Sequence, residues 1–169
     1  MDAMEAILTR RSVRRYTAEP VSEADLRRLL EAAMSAPSAN NQQPWQFVVI
    51  DERQVLDAIP GFHPYSTMLK SAPAAVLVCG DRSRAPHSDY WVQDCSAATQ
   101  NLLLAARASG LGAVWLGIYP LEARVDGMRS LLGLPAHVVP LALVSLGHPD
   151  VAQEPVDRFD AGRIHRNRW

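Results

Sequence analysis

Apolar positions along the chain recur first at helical spacing. Met4, Ile7 and Leu8 follow it in the opening stretch from Asp2 to Arg14, which is predicted as a helix whose basic end, Arg10, Arg11, Arg14 and Arg15, suits the negative pole of the macrodipole. Pro20, Val21 and Ser22 break the pattern. Ser22 with Asp25 three residues on marks a new helix start, with Leu26, Leu29, Leu30 and Ala33 on one face and an end near Pro37. Trp45 to Ile50 is predicted as a strand and Glu52 to Ile59 as a short helix. Pro60, Gly61 and Pro64 then mark a loop in which Phe62 to Tyr65 is aromatic for an exposed turn. The continuous apolar run Ala74 to Cys79 reads as a core strand. After a polar stretch, Asp81 to Asp89, a long helix runs from about Tyr90 to Ser109. It carries no charge between Asp94 and Arg107, and small or apolar residues such as Ala97, Ala98, Leu102 and Leu104 run around most of its circumference. A helix apolar all round must be covered on all sides, which a small domain does poorly alone, so a second subunit is expected to help. Gly110 and Gly112 end that helix, Ala113 to Ile118 is a strand, Leu121 to Leu132 a helix, and Val138 to Leu146 a last core strand. Beyond Gly147 the chain is polar and arginine-rich, and it ends in Trp169, which reads as a docking arm over residues 148–169 rather than a solvated tail.

With 169 residues the chain is read as one domain, 1–169. Its 17 basic and 18 acidic residues leave a formal charge of −1, so no global field draws it to nucleic acid or anionic lipid. Sixteen of the basic residues are Arg and only Lys70 is Lys, which by itself is compositional. Position has to show whether these planar forks bind phosphate or carboxylate. Cys79 and Cys95 have neither metal nor disulfide spacing and are expected to be buried thiols in a reducing cytosol. No apolar run is long enough to span a bilayer, and the expected location is cytoplasmic.

The commonest hydrolase and nucleotide signatures are absent, and Gly110-Leu111-Gly112 with Gly117 has the wrong spacing for a dinucleotide fingerprint. His87 with Asp89 and Asp94 offers too few nitrogen ligands for a convincing metal cluster, and nothing at fixed spacing orients His165 as a base. Two basic islands remain, Arg10-Arg11-Ser12-Val13-Arg14 and Arg163, Arg166, Arg168. A phosphate taken partly out of water needs several charge-assisted hydrogen bonds, which two islands and a hydroxyl can supply. The alternative is a solvated helix end and a tail paired with surface acids. Between the islands lies Ala36-Pro37-Ser38-Ala39-Asn40-Asn41-Gln42-Gln43-Pro44-Trp45, a proline-bracketed polar loop whose four amides can read the edge of a planar heterocycle. Turn preference accounts for Asn40 or Asn41 but not for the glutamines.

In this order and at these intervals, the RRSVR segment, the PSANNQQPW segment, Gly110-Leu111-Gly112 running to Leu116-Gly117, and Gly147-His148-Pro149 with the arginine-rich end resemble the FMN-dependent nitroreductase family over essentially the whole chain. The resemblance implies an α+β, three-layer sandwich with a mixed, mostly antiparallel sheet flanked by helices, in an intertwined homodimer with two FMN sites at its interface. It implies that Arg10 and Ser12, next to Arg11, bind the FMN phosphate, completed by Arg168 or Arg166, and that Arg14 approaches the ribityl chain and the N1/O2 edge of the ring. Pro37, Ser38, Ala39 and Asn41 would reach the flavin of the partner subunit, with Gln43 nearby. Val114, Trp115, Leu116 and Gly117 would line the ring, a backbone N–H of Leu116 or Gly117 pointing at N5. A fixed cation near O2 favours two-electron transfer, because a reduced flavin is an acid at N1. NAD(P)H, with no dinucleotide fold to hold it, would stack on the exposed flavin and leave before the acceptor enters, giving ping-pong kinetics. No side chain is assigned as acid or base. The acceptor is expected to be a small nitroaromatic or quinone-type molecule. The competing readings are a flavin carrier or sensor without turnover and a plain α+β interaction protein.

Overall fold

The computed structural model describes residues 1–85, 89–151, 154 and 156–169. Four strands, β1 (Trp45–Ile50), β2 (Ala74–Asp81), β3 (Gly112–Gly117) and β4 (Val138–Gly147), form one sheet in the order β1-β2-β4-β3, every neighbouring pair antiparallel. Among the described residues five α-helices flank it: α1 (Ala3–Thr9), α2 (Glu23–Met34), α3 (Arg53–Ala58), α4 (Trp91–Ala108) and α5 (Glu122–Leu132).

The two central strands are apolar without alternation because both their faces are covered. Ala74, Val76 and Val78 of β2 pack into one core with Leu26 and Leu29 of α2 and Cys95, Ala98 and Leu102 of α4. Ala75, Leu77 and Cys79 face a second core with Leu56 of α3, Met128 of α5 and Leu116 of β3. Three layers result. The anticipated mixed sheet is corrected to an antiparallel one. Among the described residues the parallel component is a single bridge from Ser12 to Ala113, because the segment touches β3 there and by Tyr16 has turned to pair antiparallel with Pro149.

The opening helix is also shorter than its periodicity predicts. It ends at Thr9, with Arg10 as its cap in an extended conformation, so the arginines do not sit on a last helical turn. Tertiary pairing wins over the helical pattern, because the Val13 N–H donates to the carbonyl of Ala113 at 3.0 Å. Val13 lies so close to β3 that a Cβ on Gly112 would meet its Cγ1 at 2.6 Å, which is why this position must lack a side chain. The start of α2 follows expectation: Ser22 Oγ accepts from the Asp25 N–H at 3.1 Å.

Within one chain α4 is not buried on every side. Trp91, Cys95, Ala98, Leu102 and Ala106 face the sheet and α2, whereas Ala97, Leu104 and Ala105 are half-buried. Beside them α1 exposes Met4, Ile7 and Leu8 at 61%, 49% and 63%, so an apolar surface is left uncovered along α1 and α4. Cys79 and Cys95 are free and buried, and burial pushes both thiols up to about 12. Among the described residues no helix is long and apolar enough to cross a membrane, and no group of acids, histidines and cysteines could hold a metal ion. His87 lies outside the described residues.

Candidate functional site

The RRSVR segment runs along the outer edge of the sheet beside β3, and its arginines have different fates. Arg11 is spent on the fold: its guanidinium donates to the carbonyls of Leu8, Arg10, Glu154 and Val156 at 3.1, 2.6, 3.2 and 3.1 Å, tying the C-terminal arm to the end of α1. Arg10 makes no hydrogen bond or ion pair through its side chain among the described residues. Burial and the like charges of Arg158 and Arg11 hold its pKa below the ordinary arginine value. Arg10, Arg11 and Arg158 line one groove of about 590 Å³ between α1 and the arm, in which Asp157 is the one acid. Asp157 Oδ1 already accepts from the Phe159 N–H at 3.0 Å. Crowded cations without a matching carboxylate are what an external dianion would neutralise.

Ser12 and Arg14 lie on the exposed side of the same segment. Arg14 marks one wall of a second cavity, of about 420 Å³, with Trp115, Leu116 and Gly117 of β3. Tyr65, Met68 and Arg124 also line it. The surface above Gly117 is open, since a Cβ there would meet nothing within 4 Å. Val114, the remaining β3 residue of the expected set, is buried and faces the second core. His63 Nε2 lies 3.0 Å from the Gly117 carbonyl oxygen, which also accepts from Arg124 Nη1 at 2.7 Å. His63 is 1% exposed, and its Nδ1 has no hydrogen-bond partner. Burial, with Arg124 close by, keeps it below the usual histidine pKa.

The amide-rich loop lies elsewhere. It leads into β1, and β1 and β3 are the two opposite edges of the sheet, three strand spacings or about 14 Å apart. Pro37, Ser38, Ala39, Asn41 and Gln43 therefore do not meet Arg14 and β3 within one chain. The loop is stiff for a reason periodicity does not reveal: Asn40, Asn41 and Gln43 all have positive φ, at 51°, 54° and 48°. Turn conformation thus accounts for both asparagines and also claims Gln43. Gln43 Nε2 donates to Asn41 Oδ1 at 3.1 Å, and the Gln43 N–H donates to Ser38 Oγ at 3.0 Å. The loop is fastened to α4 by Asp94, whose Oδ1 accepts from the Ala39 N–H at 3.0 Å.

Arg166 and Arg168 are exposed on the arm, and neither makes a side-chain hydrogen bond or ion pair among the described residues. Trp169 stays fully exposed at the end of the arm, where it stacks on His165 with centroids 4.3 Å apart. Arg158, Arg124, His63, Tyr65 and Asp94 escape the sequence reading. Asp94 carries a signal, as a lone charge at the start of an otherwise apolar helix, and so do His63 and Tyr65, as members of a loop too aromatic for an exposed turn.

The chemistry of these groups fits FMN: an anion end at Arg10 and Arg158, a hydroxyl at Ser12, a third cation at Arg14, and a flat, partly apolar floor on β3. The Nitroreductase family model matches residues 7–148. A curated relative from Methanothermobacter thermautotrophicus, named "Putative NADH dehydrogenase/NAD(P)H nitroreductase", is 49% identical over 100% of this chain and 88% of its own length. A crystal structure bearing the same name from Parabacteroides distasonis superposes with a TM-score of 0.95 at 41% identity, covering 99% of this chain and 98% of that one. A "putative nitroreductase in complex with FMN" from Desulfovibrio desulfuricans superposes with a TM-score of 0.84 at 33% identity, covering 100% of this chain and 98% of the other. The order of the arginine segment, the amide loop and the β3 floor, together with these matches over nearly the full chain, shows that it belongs to the nitroreductase family.

Proposed function

We propose that the chain is an FMN-dependent NAD(P)H oxidoreductase that works as a homodimer and passes electron pairs to a small aromatic or conjugated acceptor of the nitroaromatic or quinone type. The observation that carries this reading is the distribution of arginines left without carboxylates: Arg10 and Arg158 at one end of the β3 edge and Arg14 beside the open floor over Gly117. Bound FMN supplies hydride acceptance and donation at N5.

This chain's residues do the rest. Arg10, with the Ser12 hydroxyl, binds the phosphate, with Arg168 or Arg166 of the arm expected to join it. Arg11 serves the site indirectly, since its four carbonyl contacts hold the arm against α1. Arg14 holds positive charge at the edge of the ring where negative charge develops, favouring two-electron transfer. Trp115, Leu116 and Gly117 form the floor, and a backbone N–H of Leu116 or Gly117 orients N5. The amide loop is at the wrong edge of its own sheet to reach that floor, so Pro37, Ser38, Ala39 and Asn41 act on a second copy's flavin, with Gln43 bracing the loop. The uncovered apolar surface of α1 and α4 supports such a pairing.

Reductant and acceptor share one opening over the floor, so turnover is ping-pong. The test is direct. Purified protein incubated with FMN should be yellow, Arg10→Ala should lose the colour, and anaerobic NADH or NADPH should bleach the wild type quickly. A protein that holds FMN but is not bleached by either nucleotide is a flavin carrier or sensor. One that takes up no FMN refutes the proposal.

A further inference from the structure

The sixteen arginines of this molecule divide between those spent on acids and those left without one. Among the described residues seven of them lie within 4.0 Å of a carboxylate, Arg15 with Asp150 and Arg129 with Asp126 among them. In the cavity over β3, Arg14 and Arg124 both belong to the second group, and among the described residues no acid lines it. On the reading above the phosphate end is the separate groove at Arg10 and Arg158 and Arg14 serves the ring edge, which leaves Arg124 as the cation of this cavity without a role.

Arg124 is held in place by two contacts. One nitrogen, Nη1, donates to the Gly117 carbonyl at 2.7 Å, and the guanidinium carbon lies 5.5 Å from the Tyr65 ring centroid. Nε and Nη2 make no hydrogen bond among the described residues, which leaves a planar fork available to a ligand. Its position is electrostatically unusual, since Arg124 is the third residue of α5 and a cation in a first helical turn opposes the macrodipole. An anion beside it would be favoured by both the guanidinium and the helix.

We propose that Arg124 is a specificity-determining residue that selects, among molecules stacking over the β3 floor, those carrying an anionic substituent, either a carboxylate on an aromatic acceptor or the 2′-phosphate of the dinucleotide. The inference rests on the oxidoreductase reading above. Tyr65 positions the fork by stacking on it, and the Gly117 carbonyl fixes its distance from the floor.

The experiment compares wild type, Arg124→Gln, which removes the charge and keeps a polar amide, and Arg124→Lys, which keeps the charge without the fork. Three pairs are measured on each: kcat/KM for 4-nitrobenzoate against 4-nitrobenzamide, kcat/KM for NADPH against NADH, and calorimetric affinity for benzoate against benzamide. Arg124→Gln should lower at least one anionic-to-neutral ratio about tenfold, and Arg124→Lys less, the scale of one charge-assisted hydrogen bond. A fall in the acceptor and benzoate ratios places the anion on the acceptor; a fall in the nucleotide ratio alone places it on the dinucleotide. Ratios that stay constant in all three pairs, or an Arg124→Gln protein whose only change is weaker FMN retention, overturn the proposal. Wild-type protein that takes up no FMN refutes the oxidoreductase reading, while its preference for benzoate over benzamide still decides the role of Arg124.

Discussion

Replacing Gly112 by alanine tests how the arginine segment is held to the sheet. The new Cβ would lie 2.6 Å from Val13 Cγ1 and 2.9 Å from Val13 Cβ, inside contact distance of a β-branched side chain with little rotamer freedom. Val13 cannot simply retreat, because it is buried and its N–H is bonded to Ala113 at 3.0 Å. Overpacking of this kind costs about 1–3 kcal/mol. For a chain of this size each kcal/mol lowers Tm by roughly 2–4 °C, so Gly112→Ala should melt about 3–10 °C below wild type. The assay is a double-mutant cycle in thermal or urea unfolding. Val13→Ala alone should cost about 2 kcal/mol in lost burial and cavity formation. In that background the 2.6 Å contact with Cγ1 is gone and only the 2.9 Å contact with the remaining Cβ persists, so Gly112→Ala should cost clearly less than in wild type. Coupling of about 1–3 kcal/mol is the expected signature. An equal penalty in both backgrounds would refute the argument, because the damage would then not pass through Val13. Val13 is flanked by Ser12 and Arg14, so Gly112→Ala should also weaken FMN binding, and Val13→Ala should restore part of it.

Other residues give equally definite outcomes. Arg10→Gln should reduce FMN affinity about tenfold or more while leaving riboflavin affinity nearly constant, as read by fluorescence titration, because the lost contact is to the phosphate. Asp94→Ala removes the acceptor for the Ala39 N–H and should cost about 1–3 kcal/mol in urea unfolding, with Asp94→Asn milder because it keeps that oxygen. For His63, whose folded pKa is depressed by burial, the unfolded chain binds the extra proton first. Stability is therefore full above about pH 6.5 and declines as the pH falls toward the folded value. The urea midpoint should drop between pH 7 and pH 5.5 in wild type and drop less in His63→Gln.

The fold was legible where periodicity and burial coincide. β1 runs over the residues the sequence indicates, Trp45–Ile50, and α4 starts and stops within one residue of expectation, because an 18-residue apolar helix ended by glycines has few alternatives. The first helix misled because Met4, Ile7 and Leu8 describe a face that its own chain does not cover. Their spacing is helical, but nothing in it reveals that Arg11 to Val13 would be pulled onto an edge strand a hundred residues away. The aromatic loop at 62–65 is odd in the sequence, and only packing explains it. Phe62 packs so tightly on Gly127 that a Cβ there would meet it at 2.4 Å, His63 is buried, and only Tyr65 of the three rings is exposed, at 71%.

At the candidate site the sequence displays charges but not their partners, and for arginine the partner decides the role. Arg10 and Arg11 are adjacent and chemically identical, yet Arg11 is consumed by carbonyls of Glu154 and Val156, more than 140 positions along the chain, while Arg10 is left beside Arg158 with no acid to neutralise either. Arg124 sits between Glu122 and Asp126 in the sequence and looks like part of a solvated helical face. Helical geometry turns those acids away from it, and its fork goes to the Gly117 carbonyl instead. A guanidinium taken partly out of water without an acid is unfavourable to an isolated chain. Carbonyls can offset that cost, as they do for Arg11, but Arg10 has no such contact and Arg124 has one, so an anion at either end of the β3 edge would be stabilising: on the proposals above, a phosphate at Arg10 and an anionic substrate group at Arg124.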